Sequence, residues 1–179
     1  MKSKQLNKIV ISALFASIIC VVTIAVHIPL PSGYGYINIG DAFVLTAGIL
    51  LGPVYGGLAA AIGSGLSDLI LGYAAYIPAT AIIKGLMAVL IYFLSKAFKK
   101  HKNVGISIGC VFGELPMPFL YLLYEYAILK YGASAIANLP FNLIQGAISA
   151  FISIFIIIAL NKTNLQEKYL WGDWHEWNI

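Results

Sequence analysis

Five ionisable residues, Asp41, Asp68, Lys84, Glu114 and Glu125, lie within stretches otherwise apolar enough to dissolve in lipid. No other feature constrains the fold as tightly. A charged side chain near the centre of a bilayer costs roughly 2.5–3.5 kcal/mol on insertion scales. Five such groups facing lipid would oppose insertion, so the helices carrying them must turn them inward, toward one another or toward a polar guest. A small apolar bundle with a polar interior is the pattern of a transport or binding site.

The composition identifies the solvent. The 179 residues are 60% hydrophobic and only 10% charged, against about 25% charged in a soluble domain. The chain therefore reads as an all-α integral membrane protein, one transmembrane bundle over residues 1–179. Six spans are expected, near 9–26, 39–51, 54–71, 77–98, 104–129 and 135–160. The second is short and is expected to be broken or tilted. Residues 9–26 follow a basic start, but the run is long enough to span and the Pro29–Pro31 stretch offers no clear cleavage site. It is read as the first transmembrane helix.

All eleven basic residues are lysines. Lys2, Lys4 and Lys8 precede the first span, Lys96, Lys99, Lys100 and Lys102 lie between the fourth and fifth, and Lys162 and Lys168 follow the sixth. Six crossings put these nine on one side, with only Lys130 opposite, so both termini are expected in the cytoplasm. The net charge of +4 then reports topology and not nucleic-acid binding. On the cytoplasmic side Gly52-Pro53 marks a tight turn. On the outer side the segment 27–40, rich in Pro, Gly and Tyr, reads as a loop, either a lid or a plain connector. The C-terminal Trp171, Trp174 and Trp177 suit the inner membrane surface or a partner contact.

Polar residues fall on definite faces. Glu114, Pro118, Tyr121 and Glu125 are offset by 0, 4, 7 and 11, one face of a helix that Pro116 and Pro118 should kink. Asn138, Asn142 and Gln145 form a second face, fit for ligand contact as a set or for interhelical glue singly. Gly56, Ala60, Ser64 and Asp68 make a small-residue stripe for close helix packing. Lys84 can pair with Asp68, with Asp41, or with a ligand. Ser12, Ala13, Ala16 and Ser17 form a small-residue patch on the first span, suited to docking a partner helix or to packing within the chain.

Enzymatic chemistry has no foothold. The chain has no G-x-x-x-x-G-K-[ST], no H-E-x-x-H and no Cys/His cluster, and Cys20 and Cys110 sit in separate apolar segments as small packing residues. His27, His101 and His175 lie at boundaries or in flanks. No metal or cofactor is expected.

The segment from Tyr36 to Gly85 resembles the substrate-binding (S) components of energy-coupling factor vitamin importers, in their riboflavin/pyridoxine/hydroxymethylpyrimidine-type branch. The matching pieces are Gly40-Asp41, Leu51-Gly52-Pro53, Gly63 with Ser67-Asp68, Tyr76 with Pro78 and Thr80, and Lys84-Gly85, followed by Gly113-Glu114 and Asn142 with Gln145. The resemblance implies a multi-pass protein of the bacterial plasma membrane that binds a vitamin in an outward cavity beneath the loop after span one. It also implies docking through span one on a transmembrane coupling protein, with two cytoplasmic ATPases supplying the energy. The family's docking pattern is usually Ala-x-x-x-Ala, whereas this chain has Ala13-x-x-x-Ser17 and Ser12-x-x-x-Ala16.

The expected pocket draws on Tyr36, Asp41, Asp68, Tyr76, Lys84, Glu114, Tyr121, Glu125, Asn138, Asn142 and Gln145. Such a set suits a small, flat, nitrogen-containing ring with hydroxyl substituents, since a carboxylate pairs with a protonated ring nitrogen and amides hold hydroxymethyl groups. Vitamin B6 or hydroxymethylpyrimidine is the expected ligand. Riboflavin or another vitamin, a proton-coupled secondary transporter and a structural membrane protein are the alternatives.

Overall fold

The computed structural model describes residues 3–98 and 102–161. Lys2, Lys99, Lys100, Lys162 and Lys168, His101 and His175, and the three C-terminal tryptophans lie outside them.

Helix α1 (Ser3–Ala25) leads into a hairpin of two short strands, β1 (His27–Pro29) and β2 (Tyr36–Asn38), paired antiparallel with Ile28 opposite Ile37. Then come α2 (Asp41–Leu71), a 3₁₀ turn (Ala74–Tyr76) and α3 (Ile77–Ala97). Helices α4 (Lys102–Glu114) and α5 (Pro116–Leu123) run on into a π turn (Tyr124–Ile128), and α6 (Ala133–Asn161) follows.

Among the described residues, five helical segments are long and apolar enough to cross a membrane, 5–25, 41–71, 74–97, 102–128 and 133–160. The sequence-based count of six separates 39–51 from 54–71, which here are the two halves of α2. Gly52 interrupts that helix with φ 80° and ψ 178°, next to Pro53. The chain doubles back there. A Cβ on Gly56 would stand 2.6 Å from the Ala47 carbonyl oxygen, although nine residues of straight helix span about 13.5 Å. This backbone region is essentially open to glycine alone, so Gly52 makes the reversal possible within one residue.

The fold is all-helical apart from two three-residue strands, and the loop expected at 27–40 carries them as the β1–β2 hairpin. Its tip is turned by Gly33 and Gly35, both with positive φ, and Leu30 N–H bonds Gly35 O at 3.2 Å. Short strands satisfy backbone groups that an irregular loop at the membrane edge would leave unpaired. The expected span 104–129 is one crossing, 102–128, built of α4, α5 and the π turn. Pro116 and Pro118 lack the N–H groups that Phe112 and Glu114 carbonyls would accept from, and the helix breaks at Leu115.

Glycines of α2 bring it close to the backbones of its neighbours. A Cβ on Gly63 would meet Ala16 O of α1 at 2.5 Å, and one on Gly48 would meet Ala88 O of α3 at 2.3 Å. Ile19, Val44, Leu50, Met87 and Met117 fill one core cluster, and Leu45, Ile49, Ile91, Ile106 and Ile157 another. Large apolar residues such as Val54, Ile82, Phe151 and Phe155 are exposed on the outside, as a lipid-facing surface requires.

Candidate functional site

All five intrahelical ionisable residues are buried, none more than 3% exposed. Four of them are held in three polar groups that meet beneath the hairpin, and Glu114 stands apart.

The first group joins α2, α3 and α6. Lys84 Nζ lies 2.6 Å from Asp41 Oδ1, which decides between the two partners open to this lysine in the sequence. Gln145 Nε2 donates to the other Asp41 oxygen, and Gln145 Oε1 accepts from Asn38 N of β2 at 2.8 Å. The Lys84 ammonium also sits 5.3 Å from the centre of the Tyr121 ring, within cation–π range.

The second group is built on Asp68, at the end of α2. Tyr36 O–H donates to Asp68 Oδ1 at 2.6 Å. Burial, reinforced by the adjacent carboxylate, pushes the Tyr36 pKa up from its ordinary value, so this hydroxyl stays a donor. Asp68 Oδ2 is buried without a hydrogen bond. Nearby, the hydroxyls of Thr80 and Tyr121 are 2.9 Å apart.

The third group centres on Glu125, which the π turn carries. Tyr76 O–H donates to its Oε1 and Asn138 Nδ2 to its Oε2, each at 3.0 Å. Asn138 Nδ2 also donates to Tyr34 O at 3.1 Å, and Ser32 Oγ donates to Asn138 Oδ1 at 2.6 Å. The Tyr34 ring stacks on Tyr131 with centroids 4.0 Å apart.

A cavity of about 30 Å³ lies among these groups, room for a water or two. Tyr36, Asp41, Asp68, Tyr76, Lys84, Tyr121, Glu125, Asn142 and Gln145 line it, nine of the eleven residues expected from the sequence. Asn138 and Glu114 stand outside the lining. Asn138 is turned to the hairpin, and the Glu114 carboxylate is buried toward Gly146 of α6 with neither oxygen hydrogen-bonded. The lining further includes Thr23, Leu30, Gly35, Asn38, Ser64, Ser67 and Thr80. Ser64, Ser67 and Asp68 share a helical face by spacing, as do Thr80 and Lys84, so periodicity could have found them. Thr23 and the hairpin residues carry no such signal, because tertiary docking alone brings them in.

A second, apolar hollow of about 540 Å³ runs between α1 and the second half of α2. It is lined by Ser12, Ala13, Ala16 and Ser17 together with Tyr55, Leu58, Ala59 and Ile62. The patch serves two purposes. Ala16 is buried against Gly63, whereas Ala13 and Ser17 are exposed. Ser12 and Ser17 each turn their hydroxyl onto their own helix, to Lys8 O at 2.8 Å and Ala13 O at 2.9 Å. The face they present outward is correspondingly less polar. Among the described residues no group of three or more His, Cys, Asp or Glu could hold a metal ion.

The family model described as "ECF-type riboflavin transporter, S component" matches residues 3–162. A protein of Pyrococcus woesei described as "Uncharacterized protein in gap 3'region" is 34% identical over 134 residues, covering 75% of this chain and 87% of that protein.

Proposed function

The chain belongs to the family of ECF-type riboflavin transporter S components, and from that premise we propose that it captures vitamin B6 or hydroxymethylpyrimidine at the outer face of the cell membrane. It is a transport subunit and a multi-pass membrane protein. The reading of its ligand rests on one observation: the carboxylates of Asp68 and Glu125, the amides of Asn142 and Gln145 and three tyrosines converge on one cavity under the hairpin.

The charge balance supports a small basic ring. Asp41 is matched by Lys84, which leaves Asp68 and Glu125 as acceptors in surplus. A protonated pyridine or aminopyrimidine nitrogen meets such acceptors with a charge-assisted hydrogen bond. Riboflavin is the second reading, favoured by the description of the matching family model. Its uncharged tricyclic ring makes less use of two carboxylates and demands more room.

The reversal at Gly52 supports counting α2 as two crossings, six in all. With six, the basic flanks put both termini in the cytoplasm. The exposed Ala13/Ser17 face of α1 is proposed as the docking surface for a transmembrane coupling protein, with two ATPases of that module supplying the energy.

Calorimetry of the purified protein with pyridoxine, pyridoxal, hydroxymethylpyrimidine and riboflavin tests the ligand. Tight binding of pyridoxine or hydroxymethylpyrimidine is expected, and tight binding of riboflavin alone overturns that choice. Proton-driven vitamin uptake by liposomes holding this chain alone would replace the S-component reading with a secondary transporter. No binding and no thermal shift with any vitamin would favour a scaffolding role.

A further inference from the structure

We propose that Asn138 is the clasp of the β1–β2 hairpin and not a ligand contact, so that it governs how long a bound molecule stays. This inference rests on the vitamin-binding reading for its ligand arm only.

Every polar atom of the Asn138 side chain is engaged. Its Nδ2 donates to Tyr34 O and to Glu125 Oε2, and its Oδ1 accepts from Ser32 Oγ. Two of these three partners belong to the hairpin tip, and the third is a cavity-lining carboxylate. An asparagine that merely joined helices would bond α6 to another helix and leave the loop alone. Asn138 is 1% exposed and does not line the cavity.

The arrangement makes Glu125 common to the two devices. Its Oε1 faces Tyr76 and its Oε2 holds the clasp. The hairpin tip lies directly above, since a Cβ on Gly35 would stand 3.3 Å from Tyr76 Oη and 3.7 Å from Glu125 Oε1. A guest that hydrogen-bonds Glu125 therefore shifts the strength of the Asn138 contact, and by linkage the clasp shifts the affinity of the guest. Tyr34 on Tyr131 adds an aromatic stack next to the same point. The other hairpin tethers, Asn38 to Gln145 and Tyr36 to Asp68, run to cavity-lining groups that a guest can claim. Asn138 is the tether whose side chain a guest does not need to displace.

Asn138→Ala, Ser32→Ala and Asn142→Ala in the full chain provide the test. Hydrogen exchange over residues 27–40, measured without any vitamin, is expected to quicken at least tenfold in Asn138→Ala, to a lesser extent in Ser32→Ala, and not in Asn142→Ala. Ser32→Ala leaves the bundle intact and keeps the test open if Asn138→Ala does not fold. With pyridoxine, hydroxymethylpyrimidine and riboflavin as probes, Asn138→Ala should raise the dissociation rate about tenfold and leave the order of preference among probes unchanged. Exchange over 27–40 that is unaltered in both clasp variants overturns the proposal, whatever binds. Absence of binding of any probe to the unaltered protein defeats the vitamin reading and leaves the exchange result to decide the clasp.

Discussion

Lys84 and Asp41 form a direct ion pair inside the bundle, 2.6 Å apart and almost fully shielded from solvent. Removing one partner of a buried pair strands the other, which costs about 3–5 kcal/mol. Lys84→Met is expected to lose stability of that order in detergent, read as a fall in the unfolding temperature. Asp41→Asn combined with Lys84→Met should recover a large part of the loss. A loss in the double variant equal to the sum of the Lys84→Met and Asp41→Asn losses would show that the pair contributes nothing as a pair.

Gly52→Ala tests the reversal of α2. The φ of 80° and ψ of 178° at this position suit glycine alone, and forcing a Cβ there costs about 1–3 kcal/mol. The expected result is a lower unfolding temperature. Stability unchanged by the substitution would mean that α2 does not need this turn.

Glu125→Gln and Glu114→Gln separate the two acidic residues of the fifth span. Glu125 lines the cavity and accepts two hydrogen bonds. Hydrogen bonds to a charged group contribute about 1.5–3 kcal/mol, so its replacement should weaken vitamin binding at least tenfold. Glu114 lies outside the lining with both oxygens unpartnered. Its replacement should leave affinity within about threefold and stability unchanged or raised, since the amide carries no charge to bury. Calorimetry and thermal unfolding of the two variants provide the comparison, and a reversed order would relocate the ligand.

Ala13→Leu and Ser17→Leu fill the exposed part of the α1 groove. Neither residue touches the cavity, so vitamin affinity should hold. Co-purification with the coupling protein and ATP-driven uptake should both fall by an order of magnitude or more, because close helix approach depends on small side chains. Uptake unaffected by either leucine would move the docking surface elsewhere.

These cases also show what a sequence carries. That Asp41, Asp68, Lys84, Glu114 and Glu125 point inward follows from the cost of charge in lipid, and each is buried. That Asn138, Asn142 and Gln145 share a face follows from helical periodicity. Periodicity names a face without naming its neighbour, however. Nothing in the local pattern tells Lys84 to take Asp41 in place of Asp68, or sends Glu114 behind the cavity while Glu125 lines it. The latter residue sits in the π turn at 124–128, whose wider ladder no residue spacing announces. The hairpin was hidden for a related reason. Three-residue strands leave too short a pattern to read, and their pairing is fixed by glycine turns and by contacts from distant helices.

The cavity of about 30 Å³ has a kinetic corollary. On the proposed reading, in which the hairpin covers the site, a ring the size of a vitamin enters only once the hairpin lifts. Opening then precedes entry, and the observed capture rate cannot keep rising with concentration; it must plateau at the intrinsic frequency with which 27–40 swings away. Scarce vitamin would be collected at a rate set by encounter, and abundant vitamin at a rate set by the protein's own motion.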